Sequence, residues 1–289
     1  MAYLPRRSVL YMPGANTRAL EKARNLDADV LILDLEDAVA PSQKVQARQH
    51  ILDALAEGGY GHRELVVRVN GFDTPWGREE IAAFAHAPIS ALCLPKVESA
   101  AEVQAVVQLL VQEQAPETLK LWAMAETPRG VLAIDEIAGS HSRLEAIVMG
   151  TSDLAKELRV PHTPDRLGLQ ASLSQCVLAA RAHGLDVLDG VHLNLDDEAG
   201  FVQACEQGVQ LGFDGKTLIH PAQIAIANEA FAPSVAEVDL SRRQIEAFDE
   251  AERNGSGVAV VDGKIVENLH VVTAREIIAK SDAIAELTG

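Results

Sequence analysis

The sequence has no run of the ~20 consecutive apolar residues that a membrane span requires, so no span is expected. Its opening stretch, MAYLPRRSVLYMPG, halts a short apolar run at Pro13 and Gly14 without a full hydrophobic region or a small-residue cleavage site, which argues against a secretory signal. Cysteine is scarce. Cys93, Cys176 and Cys205 lie far apart and suggest neither a disulfide framework nor a thiolate metal site, and a reducing cytoplasm is the expected compartment. Basic residues are outnumbered, 25 Lys and Arg against 42 Asp and Glu, for a formal charge of −17. A field of that sign repels phosphate backbones and anionic lipid, which counts against nucleic-acid and membrane-surface partners. The histidines form no HxH or HExxH spacing, and there is no GxSxG elbow, no P-loop and no glycine-rich dinucleotide fingerprint after the first apolar run. Serine-nucleophile and nucleotide-hydrolysis mechanisms are therefore disfavoured.

What is present is an ordinary globular mixture, 48% apolar and 23% charged over 289 residues, long enough for a substantial core in one large domain or two modest ones. Short apolar runs at 9–12, 30–33, 65–69, 91–94, 119–125, 146–149, 187–191 and 215–219 are each followed by a polar loop. Helical periodicity then appears, as at 17–25, 43–56, 100–114, 169–183 and 198–208. About eight βα units in about 230 residues is the size of a TIM (β/α)8 barrel, with a doubly wound open sheet as the runner-up. The expected division is a catalytic barrel at 1–232 and a C-terminal arm at 233–289. After the eighth strand, helical patterns at 221–231 and 241–253 lead to a hairpin over 258–266, turning at Asp262-Gly263, and a final helix over 271–287. An arm of this kind is expected to pack on a neighbouring subunit.

In such a barrel the chemistry sits where strands end. Polar residues recur there: Asp34, Glu36 and Asp37, Arg68 and Asn70, Lys96, Glu126, Asp153, Asp189, and Lys216 with His220. Glu126 and Asp153, 27 positions apart on adjacent strands ~4.8 Å from each other, can reach one cation. With no His or Cys beside them they suit a hard ion such as Mg²⁺. The structural alternative pairs Glu126 with Arg129 and makes Asp153 a helix cap. Arg68, between β-branched neighbours in LVVRVN, has the fork geometry for a substrate carboxylate, or for an ion pair with Glu36 or Asp37. The acids of DLEDAV need compensation from Arg68, Lys96 or water near the metal. The first loop, PGANTR, offers Asn16 or Thr17 as a cap and Arg18 with Lys22 as cations, a possible phosphate seat or simply a capped helix.

Seven ordered motifs, RSVLYMPG, LDLEDAVAPSQK, VRVN, LPKVES, AETPRG, MGTSDL and GFDGKTLIHPAQI, resemble the citrate lyase β-subunit family, with malyl-CoA and citramalyl-CoA lyases among its members, within the wider HpcH/HpaI aldolase group. The match spans nearly the whole chain. It implies a TIM barrel with a C-terminal arm, assembled as a homotrimer or a multiple of trimers, acting with Mg²⁺ on 3-hydroxyacyl thioesters. Residue by residue it makes Glu126 and Asp153 the metal ligands and Arg68 the holder of the α-keto acid carboxylate. The family's arm carries a G-x-M-[IV]-D pattern whose Asp reaches a neighbouring site; here the stretch is Gly263-Lys264-Ile265-Val266-Glu267, so Glu267, one methylene longer, stands in its place, with Asp262 ranked second.

The reaction implied is reversible carbon–carbon cleavage of a citryl-, citramalyl- or malyl-CoA-type thioester into an acetyl thioester and an α-keto acid, oxaloacetate, pyruvate or glyoxylate. Arg68 fixes the carboxylate, and Glu267 of a neighbour moves the proton at the thioester methyl. Lys96 pairs with rim acids rather than forming a Schiff base. Two rivals are a citrate lyase β subunit using a thioester on an acyl carrier protein, and a barrel that binds a keto acid and Mg²⁺ without turnover.

Overall fold

The computed structural model describes residues 3–288, which group into two compact units: Arg6–Ala230, and the chain from Phe231 onward with the segment preceding Arg6. In the first unit eight parallel strands close a barrel in sequence order. They are β1 (Ser8–Pro13), β2 (Val30–Asp34), β3 (Glu64–Arg68), β4 (Ala91–Leu94), β5 (Lys120–Ala125), β6 (Leu144–Met149), β7 (Asp186–Asp189) and β8 (Gly215–Leu218), the last pairing back onto β1. This is the TIM barrel expected from the repeat of βα units. Strands such as VLILD and ALCL are buried along their whole length, because helices cover the outer face while side chains fill the inner one.

Alternate residues point inward. Val9 of β1, Val30 and Ile32 of β2, Val66 of β3, Ala91 and Cys93 of β4, Trp122 and Met124 of β5, Ala146 and Val148 of β6 and Leu188 of β7 form one buried cluster. Continuing that alternation toward the C-terminal ends reaches Asp34, Arg68, Glu126 and Gly150. Continuing it the other way reaches Glu64 and Asp186. The pleat that fills the core thus sets an ionisable layer at each mouth.

Several boundaries differ from the sequence reading for local reasons. The seventh strand ends at Asp189 instead of 191, where Asp189 turns to accept its neighbour Gly190 N–H. The helix begun at 198 runs to Leu211 and stops on Gly212 in the left-handed region, φ 95°. The 221–231 pattern is a 3₁₀ turn, Pro221–Gln223, before an α-helix, Ile224–Ala230. The arm helix starts at Val235, not 241, because Ser234 and Glu237 form a capping box. The last helix is Asn268–Thr288, with His270 accepting the Glu267 N–H just before it.

In the second unit, β9 (Ala259–Val261) and β10 (Lys264–Val266) make the expected hairpin, with Asp262 and Gly263 at φ 49° and 75°, the twist that suits a two-residue turn. Phe248, Ala259, Val266 and Val271 form its small core, while Val260, Ile265, Leu269 and Val272 are exposed. Among the described residues no helix is long and apolar enough to cross a membrane.

Candidate active site at the C-terminal mouth of the barrel

The β2/β3 register sets Asp34 directly beside Arg68. Arg68 Nε and Nη2 donate to the two Asp34 carboxylate oxygens, each at 2.7 Å, and Nη1 lies 3.0 Å from Glu36 and 3.9 Å from Asp37. The guanidinium also lies over the Tyr11 ring, 4.8 Å from its centroid. Burial works against the charged form of Arg68, but the bonds and charge of Asp34 outweigh it and its pKa is raised well above the ordinary value. The ion pair weighed against substrate binding therefore exists. Its main partner is Asp34, with Glu36 second and the exposed Asp37 only marginal. A signal was available: both residues end adjacent strands and fall on the inward alternation.

Glu126 follows β5 and is 2% exposed. Its Oε1 accepts the backbone N–H of Lys96 at 2.8 Å. Gly150, directly after β6, makes this position possible: a Cβ built there would lie 2.3 Å from Glu126 Cβ and 2.4 Å from Oε2, so any side chain at 150 would expel the carboxylate. Burial, with Glu36 adding to it against the pull of Lys96 and Arg68, raises the Glu126 pKa to about 7. Arg129 pairs instead with Glu98, at 3.9 Å, so the alternative Glu126–Arg129 pair is not formed. Asp153 lies in the first turn of the helix Thr151–Leu158, whose N-cap is Gly150 with no side-chain cap bond. Asp153 is thus no cap; its carboxylate is 3.2 Å from Lys96 Nζ.

Lys96 joins these groups. Its backbone is left-handed, φ 49°, uncommon for a residue with a Cβ, and its Nζ is 2.6 Å from Glu36 Oε1. Burial opposes the ammonium, yet the Glu36 hydrogen bond and the nearby acids raise its pKa above the usual lysine value. Glu36 is in turn held by its own backbone: the buried Lys44 donates to the carbonyls of Leu35 and Glu36, both at 2.8 Å. The sequence around Lys44, a lysine in a polar helix start, carries no hint of its burial.

The rim therefore gathers five carboxylates, Asp34, Glu36, Asp37, Glu126 and Asp153, around two cations, Arg68 and Lys96. Among the described residues no three His, Cys, Asp or Glu side chains converge as a metal cage. Glu126, directly after β5, and Asp153, in the first helical turn after β6, are two carboxylate donors from neighbouring strand–helix junctions, the first of them buried. That set fits Mg²⁺, which commonly takes one or two protein carboxylates and leaves its other positions to water and substrate.

Other candidates have structural employment. His220 accepts the Ala222 N–H at 3.2 Å in a capping box with Gln223. In the first loop Asn16 is the cap, bonding Ala19 N–H, and Arg18 and Lys22 are exposed on a helix of seven residues. Asp189 lies fully buried between Lys216, 2.7 Å away, and Arg166, 2.6 Å away, and these two cations outweigh its burial and keep its pKa low. A cavity of about 260 Å³ opens beside this triad, lined by Thr151, Arg166, Leu169, His192, Leu193 and Lys216 among others. Glu267 belongs to the second unit and is exposed just before the last helix.

A family model described as HpcH/HpaI aldolase/citrate lyase matches residues 7–221. A (3S)-malyl-CoA thioesterase of Cereibacter sphaeroides (strain KD131) is 58% identical over 281 residues, covering 97% of this chain and 96% of the relative. The citrate lyase subunit beta of Escherichia coli (strain K12) is 36% identical over 289 residues, covering 98% and 94%. The crystal structure of protein CitE from Mycobacterium tuberculosis in complex with magnesium, acetoacetate and coenzyme A is similar with a TM-score of 0.75 at 29% identity, covering 95% of this chain and 97% of that one.

Proposed function

Because the chain belongs to the HpcH/HpaI aldolase/citrate lyase family, we propose that it acts with Mg²⁺ on a malyl-CoA-type thioester, a short acyl group with a 3-hydroxyl and a free carboxylate, and that the bond it breaks is the thioester. The observation that carries this is the buried Glu126 carboxylate beside Asp153 in a rim where five acids face two cations. Hydrolysis, rather than the carbon–carbon cleavage implied by the motifs, is the reading that the 58% identity to a malyl-CoA thioesterase across nearly the whole of both chains supports.

Glu126 and Asp153 would hold the ion, whose contribution when bound is Lewis acidity and a template for an α-hydroxy carboxylate. Arg68 orients the substrate carboxylate with the donors that Asp34 and Glu36 leave it; a guanidinium has five N–H groups. Its own position is fixed by Asp34, so the fork cannot swing away. The cavity at Thr151 receives the thioester side of the substrate. Glu267, from the arm of a neighbouring copy in a trimer or multiple of trimers, takes the proton of the attacking water, and the thiol of coenzyme A leaves protonated. The exposed apolar residues of the arm, Val260, Ile265, Leu269 and Val272, support packing of that unit on another copy. Coenzyme A is preferred to an acyl carrier protein as the carrier, since an acidic carrier would meet a chain of charge −17.

A second reading, carbon–carbon cleavage to acetyl-CoA and an α-keto acid, is favoured by the carboxylate retained at Glu267 and by the 36% identity to a citrate lyase subunit. One assay separates them. Incubation with (3S)-malyl-CoA and Mg²⁺ is expected to release free thiol and malate in equal amounts, and EDTA is expected to stop it. Acetyl-CoA with glyoxylate establishes the second reading; no product from malyl-, citramalyl- or citryl-CoA removes both.

A further inference from the structure

Among the described residues Lys96 is the one that touches both acids of the proposed ion site. Its backbone, left-handed at φ 49°, donates its N–H to Glu126 Oε1 at 2.8 Å, while its ammonium reaches Glu36 at 2.6 Å and Asp153 at 3.2 Å. We propose that the Lys96 ammonium and a divalent ion compete for the Asp153 carboxylate, so that ion binding requires Lys96 to withdraw onto Glu36, and Lys96 thereby sets the affinity of the site. The inference rests on the metal-dependent reading above and adds to it a residue that positions and limits the ion without ligating it.

The physical case has three parts. An ammonium serves a carboxylate as a point charge, as an ion does, but two cations cannot crowd one half-buried oxygen without mutual repulsion. A place to retreat exists: Glu36 is already the closer partner, and it is held still by Arg68 at 3.0 Å and by Lys44 at its main-chain carbonyl. The retreat is also mechanically open, since the Lys96 side chain is 44% exposed on a flexible four-carbon stem, in contrast to the fixed Arg68 beside it. Its backbone anchor on Glu126 need not move, so Glu126 stays aimed while the ammonium gives way.

The test is titration of Mg²⁺ alone, by calorimetry, into wild type, Lys96→Met and Lys156→Met. Lys156 is exposed on the same helix as Asp153, three residues along, and removes the same charge without any contact to the cluster. Lys96→Met is expected to bind Mg²⁺ at least tenfold more tightly, and Lys156→Met to stay within twofold of wild type. Equal or weaker binding by Lys96→Met, or an equal gain in Lys156→Met, overturns the proposal. A measurement on the unsubstituted chain covers the case in which Lys96→Met fails to fold. After reductive ¹³C-methylation, which keeps lysines charged, the Lys96 resonance should move with Mg²⁺ at the calorimetric midpoint, and a stationary resonance at saturation overturns the proposal. Wild type that binds no Mg²⁺ defeats the metal-dependent reading as well, whereas binding that both substitutions leave unchanged defeats the inference alone.

Discussion

The barrel carries the same device at both ends and uses it differently. At the N-terminal mouth Arg6 lies over the Trp122 ring, 5.0 Å from its centroid, and bonds Glu64 at 2.7 and 2.9 Å, Asp186 at 2.6 Å and Glu145 at 2.7 Å. At the C-terminal mouth Arg68 lies over Tyr11 and is bonded by Asp34 and Glu36. Both are buried arginines capping an aromatic core among several acids. At the lower mouth Glu64, Asp186 and Glu145 each bond Arg6 directly, and Glu145 and Asp186 keep about a third of their side-chain surface in water. At the upper mouth Glu126 is buried, is bonded by one backbone N–H and has its pKa raised to about 7. A buried arginine with acids around it is therefore no mark of a site. The mark is a carboxylate held out of water on a backbone N–H, beside a residue with left-handed backbone, at the strand ends where the loops converge.

The sharpest way to break this contrast is Glu126→Gln. Loss of an ion's Lewis-acid contribution, several kcal/mol, is expected to cut Mg²⁺-dependent release of thiol from malyl-CoA by ~10³-fold or more, while the melting temperature holds or rises. A melting temperature that falls with little change in rate would make the upper cluster a staple like the lower one. Arg6→Met is the mirror experiment. It leaves the buried Glu64 unpaired and should cost about 3–5 kcal/mol in urea unfolding, with kcat per folded molecule unchanged; a selective loss of rate would show that the lower mouth is coupled to the chemistry.

The third expectation concerns pH. The folded pKa of Glu126, about 7, stands above its unfolded value of 4.5, so the folded state holds this proton more tightly. The associated stability is fully present below about pH 4.5 and is lost as pH rises to about 7, a total of about 3 kcal/mol. In EDTA, wild type should lose ground to Glu126→Gln by about that amount between pH 4.5 and pH 7.5. A constant difference across that range would show that Glu126 is solvated in solution and remove the contrast between the two mouths.

Much of this was legible in the residues. The count of apolar runs gave eight strands, and the parity of Val66 with Arg68 and of Met124 with Glu126 already implied which side chains face inward. Ser234 with Glu237, a capping box, is legible too and marks a helix start earlier than the apolar periodicity from 241 does. Lys44, buried under the loop it supports, was not, because no local pattern tells a lysine that caps two carbonyls from one in solvent. Nor was the choice of Asp34 over Glu36 as the main partner of Arg68, which depends on the register between two strands 30 positions apart.

The sequence by itself determined the periodicity, and with it the closed parallel barrel, the inward layers and the set of ionisable residues left at strand ends. Those follow from local rules, the two-residue pleat and the helix repeat, which act over a few neighbours. Only the tertiary structure decided how the charges balance: that Asp34 occupies Arg68, that Gly150 makes room for Glu126, and that Lys96 spans Glu36 and Asp153. Electrostatic energy depends on distance and solvent exposure in space, and barrel closure brings together groups from β2 to the helix after β6 that the chain keeps more than a hundred residues apart.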